Sequence, residues 1–309
     1  MKYLVTGGAG FIGSNIVSEL LRQGQQVVVL DNFATGKREN ILPLMKDSNL
    51  TLIEGDLRSF HIVRSAVKGV DYILHQGALP SVPRSINDPI TSNDVNILGM
   101  LNILEAAKEF GVKRVITASS SSIYGNSVTL PKVENMPVNP LSPYALTKYA
   151  QERYCQIFSQ IYGLETVALR YFNVFGPNQD PTSQYSAVIP KFIKLIMADK
   201  EPVIYGDGSQ SRDFTFVENN VWANIQACTA PKAAGEVINI ACGERYTLIE
   251  LVNMINEILG KNIEPKFEKD RAGDVKHSLA GIDKAKGLLG YEVRVDFKEG
   301  LERTVEYFS

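Results

Sequence analysis

A doubly wound, parallel α/β sheet with a smaller second lobe is the fold class predicted for this chain of 309 residues. Three observations predict it. Short apolar runs alternate with amphipathic stretches through the first half, the pattern of repeated βαβ units. A glycine-rich turn follows the first apolar run and opens the first helix. After about Val174 the alternation gives way to shorter elements broken by Pro/Gly/Asn/Asp loops, as in Gly176-Pro177-Asn178-Gln179-Asp180-Pro181.

Taken in order, Tyr3-Leu4-Val5 reads as a buried strand leading into a helix from about Phe11 to Arg22, stopped by Gly24. Val27-Val28-Val29-Leu30, Thr51-Leu52-Ile53, Tyr72-Ile73-Leu74 and Arg114-Val115-Ile116-Thr117 read as further strands, each too short and apolar for a surface helix. Helical patterns cover about Thr91 to Phe110 and Pro143 to Tyr162, and Thr166 to Arg170 is another strand. Loops at Gly206-Asp207-Gly208 and Arg271-Ala272-Gly273-Asp274 mark the second half. The expected division is a cofactor domain of residues 1–174 plus about 214–242, and a substrate lobe of 175–213 and 243–309. A cleft between two lobes is a usual place for a site.

The glycine turn is Thr6-Gly7-Gly8-Ala9-Gly10-Phe11-Ile12-Gly13, a G-x-x-G-x-x-G between strand and helix. In that context the glycines permit a tight turn, close backbone approach to a pyrophosphate and close helix–sheet packing. The pyrophosphate meets free N–H groups at the positive helix end. This makes the sheet Rossmann-type. Asp31 ends the second strand, where a carboxylate accepts the ribose hydroxyls of an adenosine and repels a 2′-phosphate, which favours NAD over NADP. Lys37 and Arg38 lie nearby and soften that preference. Asp56, in Gly55-Asp56-Leu57, could meet the adenine amino group or cap the following helix.

Tyr144 and Lys148 carry the chemistry. They sit at i and i+4 in Ser142-Pro143-Tyr144-Ala145-Leu146-Thr147-Lys148, so a helix starting near Pro143 places both on one face. A free phenol, with a pKa of about 10, is a poor base at neutral pH. An ammonium one turn away favours the phenolate and is expected to lower that value. The pair can then serve as general base and acid on a substrate hydroxyl. Y-x-x-x-K alone also occurs by chance on exposed helices; here it accompanies the glycine turn and the serine cluster Ser119-Ser120-Ser121-Ser122. Serines at a strand end, taken alone, equally suit a plain turn.

Composition excludes several other classes. The net charge of −2 gives no basic field for nucleic acid, and no basic amphipathic stretch suits a membrane surface. No apolar run approaches the ~20 residues of a membrane helix. Met1-Lys2 enters a strand-like run at once, which leaves no room for a signal peptide. Cys155, Cys228 and Cys242 are isolated and form no C-x-x-C, and a reducing cytoplasm is the expected location. His61, His75 and His277 show no ligand spacing, so no metal is expected.

With these motifs placed, the chain resembles the extended short-chain dehydrogenases/reductases, and within them the UDP-sugar 4-epimerases, including those that accept UDP-N-acetylhexosamines. The resemblance covers nearly the whole chain. It is carried by the Gly7/Gly10/Gly13 turn, Ala118-Ser119-Ser120-Ser121-Ser122-Ile123-Tyr124-Gly125, Tyr144/Lys148, Tyr171-Phe172-Asn173-Val174-Phe175-Gly176-Pro177, Ser211-Arg212-Asp213-Phe214 and Arg271-Ala272-Gly273-Asp274-Val275-Lys276-His277-Ser278. It implies that Tyr144 takes the proton of the sugar 4-hydroxyl while hydride passes from carbon 4 to bound NAD. Lys148 would hold the nicotinamide ribose, and Ser120 would bond the reacting oxygen. The 4-keto sugar would then rotate and take the hydride back on its other face.

By the same resemblance, Phe11, Ile12, Asn32, Gly36, Leu57, Gln76, Ala78, Pro80, Asn96 and Tyr171 join Gly7, Gly10, Gly13, Asp31 and Asp56 around NAD. Asn173 and Arg212 would hold the diphosphate, a guanidinium suiting that task through paired N–H donors, and Gln210 would also bind the substrate. Arg271 and Asp274 would add nucleotide contacts, although either could be an ordinary surface charge. Ala187, Val188 and Tyr205 would surround the uracil, and Ser81, Ser121, Ser122 and Ser278 would line the sugar pocket. Serine at 278 is small enough to admit an N-acetyl group, and Pro80 stands where some N-acetylhexosamine epimerases have glycine, which reshapes that wall. Two departures are expected to matter little: Gln76-Gly77-Ala78 beside the nicotinamide, where a glycine should cost little, and Glu218-Asn219-Asn220, which should affect local packing only. A homodimer is implied, joined through the helices near Thr91–Phe110 and Pro143–Tyr162.

Three classes stay open on the sequence. A sister dehydratase or decarboxylase needs a carboxylate beside Ser120, where this chain has Ser121 and Ser122. A net reductase should draw NADP(H) from solution, against Asp31. A non-catalytic dinucleotide sensor has no reason to keep Tyr144, Lys148 and Ser120 in register.

Overall fold

The computed structural model describes residues 1–181, 188–269 and 276–309. β1 (Lys2–Thr6) runs into α1 (Phe11–Arg22), and β2 (Gln26–Asp31) into a short α2 (Arg38–Ile41). β3 (Leu50–Glu54) precedes α3 (Phe60–Val67), and β4 (Tyr72–His75) precedes α4 (Val82–Asn87) and α5 (Pro89–Asn93). A π turn (Asp94–Leu98) joins α5 to α6 (Gly99–Glu109). The helix expected from about Thr91 therefore begins earlier, at Pro89, where Asp88 caps the Thr91 N–H, and it is interrupted by the wider turn. β5 (Arg114–Ser120), a 3₁₀ turn (Ser121–Tyr124), α7 (Pro143–Tyr162) and β6 (Glu165–Tyr171) complete the first half.

Beyond it lie β7 (Val174–Phe175), α8 (Val188–Met197), β8 (Val203–Tyr205), β9 (Ser211–Arg212), β10 (Thr215–Phe216) and α9 (Val217–Thr229). β11 (Val237–Ile240) then returns to the main sheet, beside β6. β12 (Tyr246–Thr247), α10 (Leu248–Leu259), β13 (Lys266–Glu268), α11 (Asp283–Leu289) and α12 (Phe297–Phe308) follow. The sheet has seven strands in the order β11-β6-β5-β4-β1-β2-β3, and every pairing in it is parallel. The order reverses between β1 and β4, and ligands of such sheets bind at the strand ends beside that switch point. Three two-stranded pairs, β7 with β10, β8 with β13 and β9 with β12, stand outside that sheet.

The strands are apolar on both faces because helices cover both. Leu4, Val28, Leu30, Ile73 and Val115 are buried with residues of α3, α6 and α7. Val5, Val27, Val29, Leu74 and Ile116 face the other way, with α1, α8 and α9. Each such side chain taken out of water contributes about 1.5–3 kcal/mol. The result is a stiff platform whose carboxyl ends carry the glycine turn, Asp31, Asp56, Gln76 and Ser120. α1 and α7 start where expected because Gly10 and Ser142-Pro143 start them; the Ser142 hydroxyl accepts the Ala145 N–H at 3.1 Å. Gly163, with φ of 69°, ends α7 in the left-handed conformation that glycine adopts without strain.

Candidate active site

The glycine turn forms one wall of a cavity of about 660 Å³ over the strand ends. Its closeness explains its composition. A Cβ on Gly13 would stand 2.1 Å from the Gly7 carbonyl oxygen, and one on Gly7 would stand 2.8 Å from the Gly77 Cα. Gly77 is thus the counterpart that lets the turn sit against the β4 loop; a Cβ on it would meet Leu57 Cδ1 at 2.8 Å. No side chain caps α1, so the first-turn backbone of Phe11, Ile12 and Gly13 faces the cavity with its N–H groups available. These features fit a dinucleotide: a cradle that any Cβ would fill, beneath a positive helix end.

Asp31 is buried, and each carboxylate oxygen accepts one backbone N–H, from Ala9 at 2.9 Å and Phe33 at 2.8 Å. The loop therefore wraps the carboxylate and leaves its other lone pairs toward the cavity that Asp31 lines. Lys37 and Arg38 already have carboxylate partners: Lys37 pairs with Asp180 at 3.1 Å, and Arg38 grips Glu54 and stacks on Phe33. Asp56 accepts from Asn32 and from Arg58, whose guanidinium holds the carboxyl down at about 2. Asp56 does not cap α3; Ser59 holds that position, and Asp56 instead accepts the Arg58 N–H. Arg58 lines the cavity and was not singled out from sequence, although an arginine two residues past such an aspartate was a signal.

Gly36, Leu57, Gln76, Ala78, Pro80, Ser81 and Tyr171 also line this cavity. Asn96 does not. It is fully buried in the π turn, where its amide holds both the N–H and the C=O of Leu79 and donates to Thr147. It shapes the wall from behind. Ser81, next to Pro80, has φ of 96°, a region that L residues rarely occupy, and its hydroxyl caps α4 by accepting the Arg84 N–H at 3.3 Å. Tyr171 presents its ring, while its hydroxyl donates to Gln76 at 3.1 Å and accepts from Asn224 at 2.7 Å. Gln76 closes that ring of hydrogen bonds on Asn224 at 3.0 Å. Nothing in the sequence marks Asn224, which comes from α9.

Tyr144 occupies the first turn of α7, and its N–H donates to the buried Ser85 hydroxyl of α4 at 3.0 Å. One turn on, Lys148 is 4% exposed and donates from Nζ to the Ala118 carbonyl of β5 at 2.7 Å. Tyr144 and Lys148 both line the cavity. Ser120, two residues past Ala118, hydrogen-bonds the Tyr144 phenol and accepts the Ser122 N–H at 3.1 Å. Burial pushes the Tyr144 phenol above its ordinary range, and the Ser120 hydrogen bond offsets that only partly. The expectation that Lys148 lowers it is corrected: desolvation of a phenolate outweighs the help of an ammonium directed at a backbone carbonyl. Burial also brings Lys148 itself down to about 8, with Glu152 opposing. Ser121 and Ser122 form the 3₁₀ turn beside Ser120, and among the described residues the buried Ser122 hydroxyl has no hydrogen-bond partner.

A second cavity, of about 290 Å³, lies in the other lobe between α8, β7, β8 and β9. Asn173, Val188, Tyr205, Gln210 and Arg212 line it. Asn173 (φ 34°) donates to the Asp213 carbonyl at 3.0 Å, and Gln210 donates to the Tyr205 carbonyl at 2.6 Å. The Arg212 guanidinium donates to the carbonyls of Ser211 and Lys276. Ser278 is half-buried and reaches Ser211 through its N–H at 3.0 Å; it lies beside this cavity rather than in its lining. Ala187, Arg271 and Asp274 lie outside the described residues. Among the described residues no cluster of His, Cys, Asp and Glu could hold a metal ion.

Residues 3–241 match the family described as NAD dependent epimerase/dehydratase. The UDP-glucose 4-epimerase of Mycolicibacterium smegmatis is 36% identical over 315 residues, which cover 100% of this chain and 98% of that protein. The structure of a UDP-N-acetylglucosamine 4-epimerase from Methanobrevibacter ruminantium, in complex with UDP-N-acetylmuramic acid, superposes with a TM-score of 0.95 at 42% identity, covering 99% of this chain and 97% of that one. A UDP-glucuronic acid 4-epimerase from Bacillus cereus, with UDP-glucuronic acid and NAD, gives a TM-score of 0.92 at 34% identity, covering 99% and 98%. The chain belongs to the NAD-dependent epimerase/dehydratase family, and these relatives and structural neighbours are UDP-sugar 4-epimerases.

Proposed function

We propose that this protein interconverts the carbon-4 epimers of UDP-hexoses, UDP-GlcNAc with UDP-GalNAc and/or UDP-glucose with UDP-galactose, using NAD that it retains. The observation that carries the reading is that Tyr144 and Lys148 line one cavity while Ser120 hydrogen-bonds the Tyr144 phenol, with hydroxyls and no carboxylate beside it at Ser121 and Ser122. Without a second acid or base next to Ser120, a dehydratase or decarboxylase lacks its proton carrier. The paired use of Asp31, Lys37 and Arg38 favours NAD over NADP and so disfavours a net reductase.

The glycine turn, the first turn of α1, Asp31 and Asp56 would hold NAD, and Lys148 would hold its nicotinamide end. The chemistry that bound NAD would supply is reversible hydride transfer at sugar carbon 4. Tyr144 Oη exchanges the proton of the 4-hydroxyl, and Ser120 bonds the same oxygen. The Lys148 ammonium favours the phenolate as Tyr144 gives up its proton. Arg212 and Asn173 anchor the diphosphate while the sugar turns over, and the small Ser278 leaves room for an N-acetyl group.

The two lobes divide this work as residues 1–174 with 214–242 for the cofactor, and 175–213 with 243–309 for the nucleotide sugar. We read the working state as a homodimer through α5, α6 and α7, and the location as the cytoplasm. The cysteines are free, and no helix among the described residues is long and apolar enough to cross a membrane.

A proton NMR time course tests the function. Purified protein is mixed with UDP-GlcNAc or UDP-glucose without added NAD. New anomeric signals of UDP-GalNAc or UDP-galactose are expected. Silence that persists after NAD is added overturns the reading for these sugars.

A further inference from the structure

Glu152 and Arg170 form a buried ion pair that none of the steps above uses. Glu152 is 1% and Arg170 3% exposed. Arg170 Nε and Nη2 each donate to a different oxygen of Glu152 at 2.8 Å, and the Ser119 hydroxyl donates to the same carboxylate at 2.5 Å. Arg170 Nη1 donates to the Tyr124 hydroxyl at 2.8 Å, and that hydroxyl donates to Asn239 of β11 at 2.7 Å. Stability is a weak explanation for such a pair, since well-packed apolar residues of similar volume serve a core at least as well.

Its position supplies another. Glu152 lies on α7 one turn beyond Lys148, as Lys148 lies one turn beyond Tyr144. Ser119, which it holds, immediately precedes Ser120 on β5. We propose that Glu152 is a positioning residue of the reaction: clamped by Arg170 and Ser119, its carboxylate keeps the Lys148 ammonium charged in a dry site and holds the Ser120 strand end against Tyr144. This rests on the reading of Tyr144 and Lys148 as the proton-transfer pair.

The charges around Lys148 single out Glu152. On the elements packed against α7 stand Arg84 of α4, Asp94 of the π turn, Tyr124 of the 3₁₀ turn, Arg114 of β5, and Glu165 and Arg170 of β6. The α6 charges Glu105, Lys108 and Glu109 pair near its far end or with α3. His75, at the end of β4, is buried, and desolvation together with Lys148 holds it down at about 3, so it is neutral. Of all these groups, Glu152 is the one whose charge raises Lys148 against its burial. Glu152 thus acts on the lysine through its charge, while Arg170 fixes where that charge sits.

The test is made on the NAD-bound protein with Glu152→Gln. The Lys148 side-chain NMR signal, assigned by its loss in Lys148→Met, is titrated, and UDP-sugar turnover is followed over the same pH range. A lysine held charged by Glu152 gives a wild-type rate that falls as pH rises through about 8, because the ammonium is lost there. Glu152→Gln should move both the titration and the falling limb to lower pH by about one unit or more. Glu152→Asp should restore part of the shift. Loss of the same fraction of activity at every pH, with the titration unmoved, would mean a purely structural role and overturns the inference. Should Glu152→Gln not fold because Arg170 is left unpaired, Glu152→Gln/Arg170→Met removes both charges, and an unmoved titration in it overturns the inference equally. A wild-type protein without turnover whose Lys148 titration still shifts on Glu152→Gln would sink the epimerase reading and leave the charge coupling intact.

Discussion

Tyr144 stands at the centre of two arguments that pull in opposite directions. Burial raises its phenol, which disfavours the base form, yet the same dry setting strengthens any nearby dipole or charge that selects the phenolate. Tyr144→Phe removes the hydroxyl and little else. Turnover is expected to fall by about 10²–10⁴-fold, with NAD still bound; rate assays, together with cofactor released on denaturation, measure both. A dinucleotide sensor would lose nothing. Gly13→Ala makes the complementary change. Its Cβ would collide with the Gly7 carbonyl oxygen, so the turn must open. The variant should copurify with little NAD and lose about 1–3 kcal/mol of stability, read from absorbance and denaturant melts. Residues such as Gly13, Asp31 and Tyr144 were legible because their chemistry depends on local spacing. Asn224 and Glu152 were not, because each acts through a partner 18 or more residues away in sequence: Tyr171 and Arg170.

At the scale of elements, the chain around Arg212 depends on one staple. Asp213 follows β9 and is fully buried, and its carboxylate accepts the N–H groups of Cys242, Gly243 and Ala280 at 3.0–3.1 Å. Burial pushes the carboxyl up to about 7, while the three N–H donors pull it down. Three chain segments are thereby tied beside Arg212, which precedes Asp213 directly. Asp213→Asn places an NH₂ group where at least one N–H now donates. A loss of about 1–3 kcal/mol in stability is expected. Because Arg212 loses its frame while Tyr144 does not, KM for the UDP-sugar should rise more than kcat falls; steady-state kinetics with either sugar separate the two. Sequence motifs named Ser211-Arg212-Asp213-Phe214 but could not say which carboxylate faced inward. The long elements were plainer. α1 and α7 announce themselves through a glycine turn and a Ser-Pro cap, whereas the π turn in 94–98 leaves the apolar spacing nearly helical and so went unseen.

Over the whole molecule, the parallel sheet places its switch point between β1 and β4, where a dinucleotide can lie; alternating apolar runs were enough to foresee a parallel, doubly wound sheet but not its strand order. The smaller lobe was harder, because its strands are two or three residues long and pair at long range, so no local periodicity marks them. One feature of the surface remains unused by the single chain. Ile86 of α4, Ile90 of α5, and Leu146 and Ile161 of α7 are 62%, 74%, 55% and 68% exposed. Large apolar side chains gathered on neighbouring helices mark an association surface more often than a solvated one. Burying each contributes up to about 1.5–3 kcal/mol, so a symmetric pair of chains recovers that gain twice. If two copies pair through this face, Ile90→Glu/Ile161→Glu puts four carboxylates into the interface, and light scattering should show a monomer where the wild type scatters as a dimer. Neither Ile90 nor Ile161 lines the cavity that Tyr144 and Lys148 line, so a monomer that keeps its NAD would assign the interface to stability. A wild-type protein that scatters as a monomer at micromolar concentration would instead leave this apolar face without a second copy to cover it.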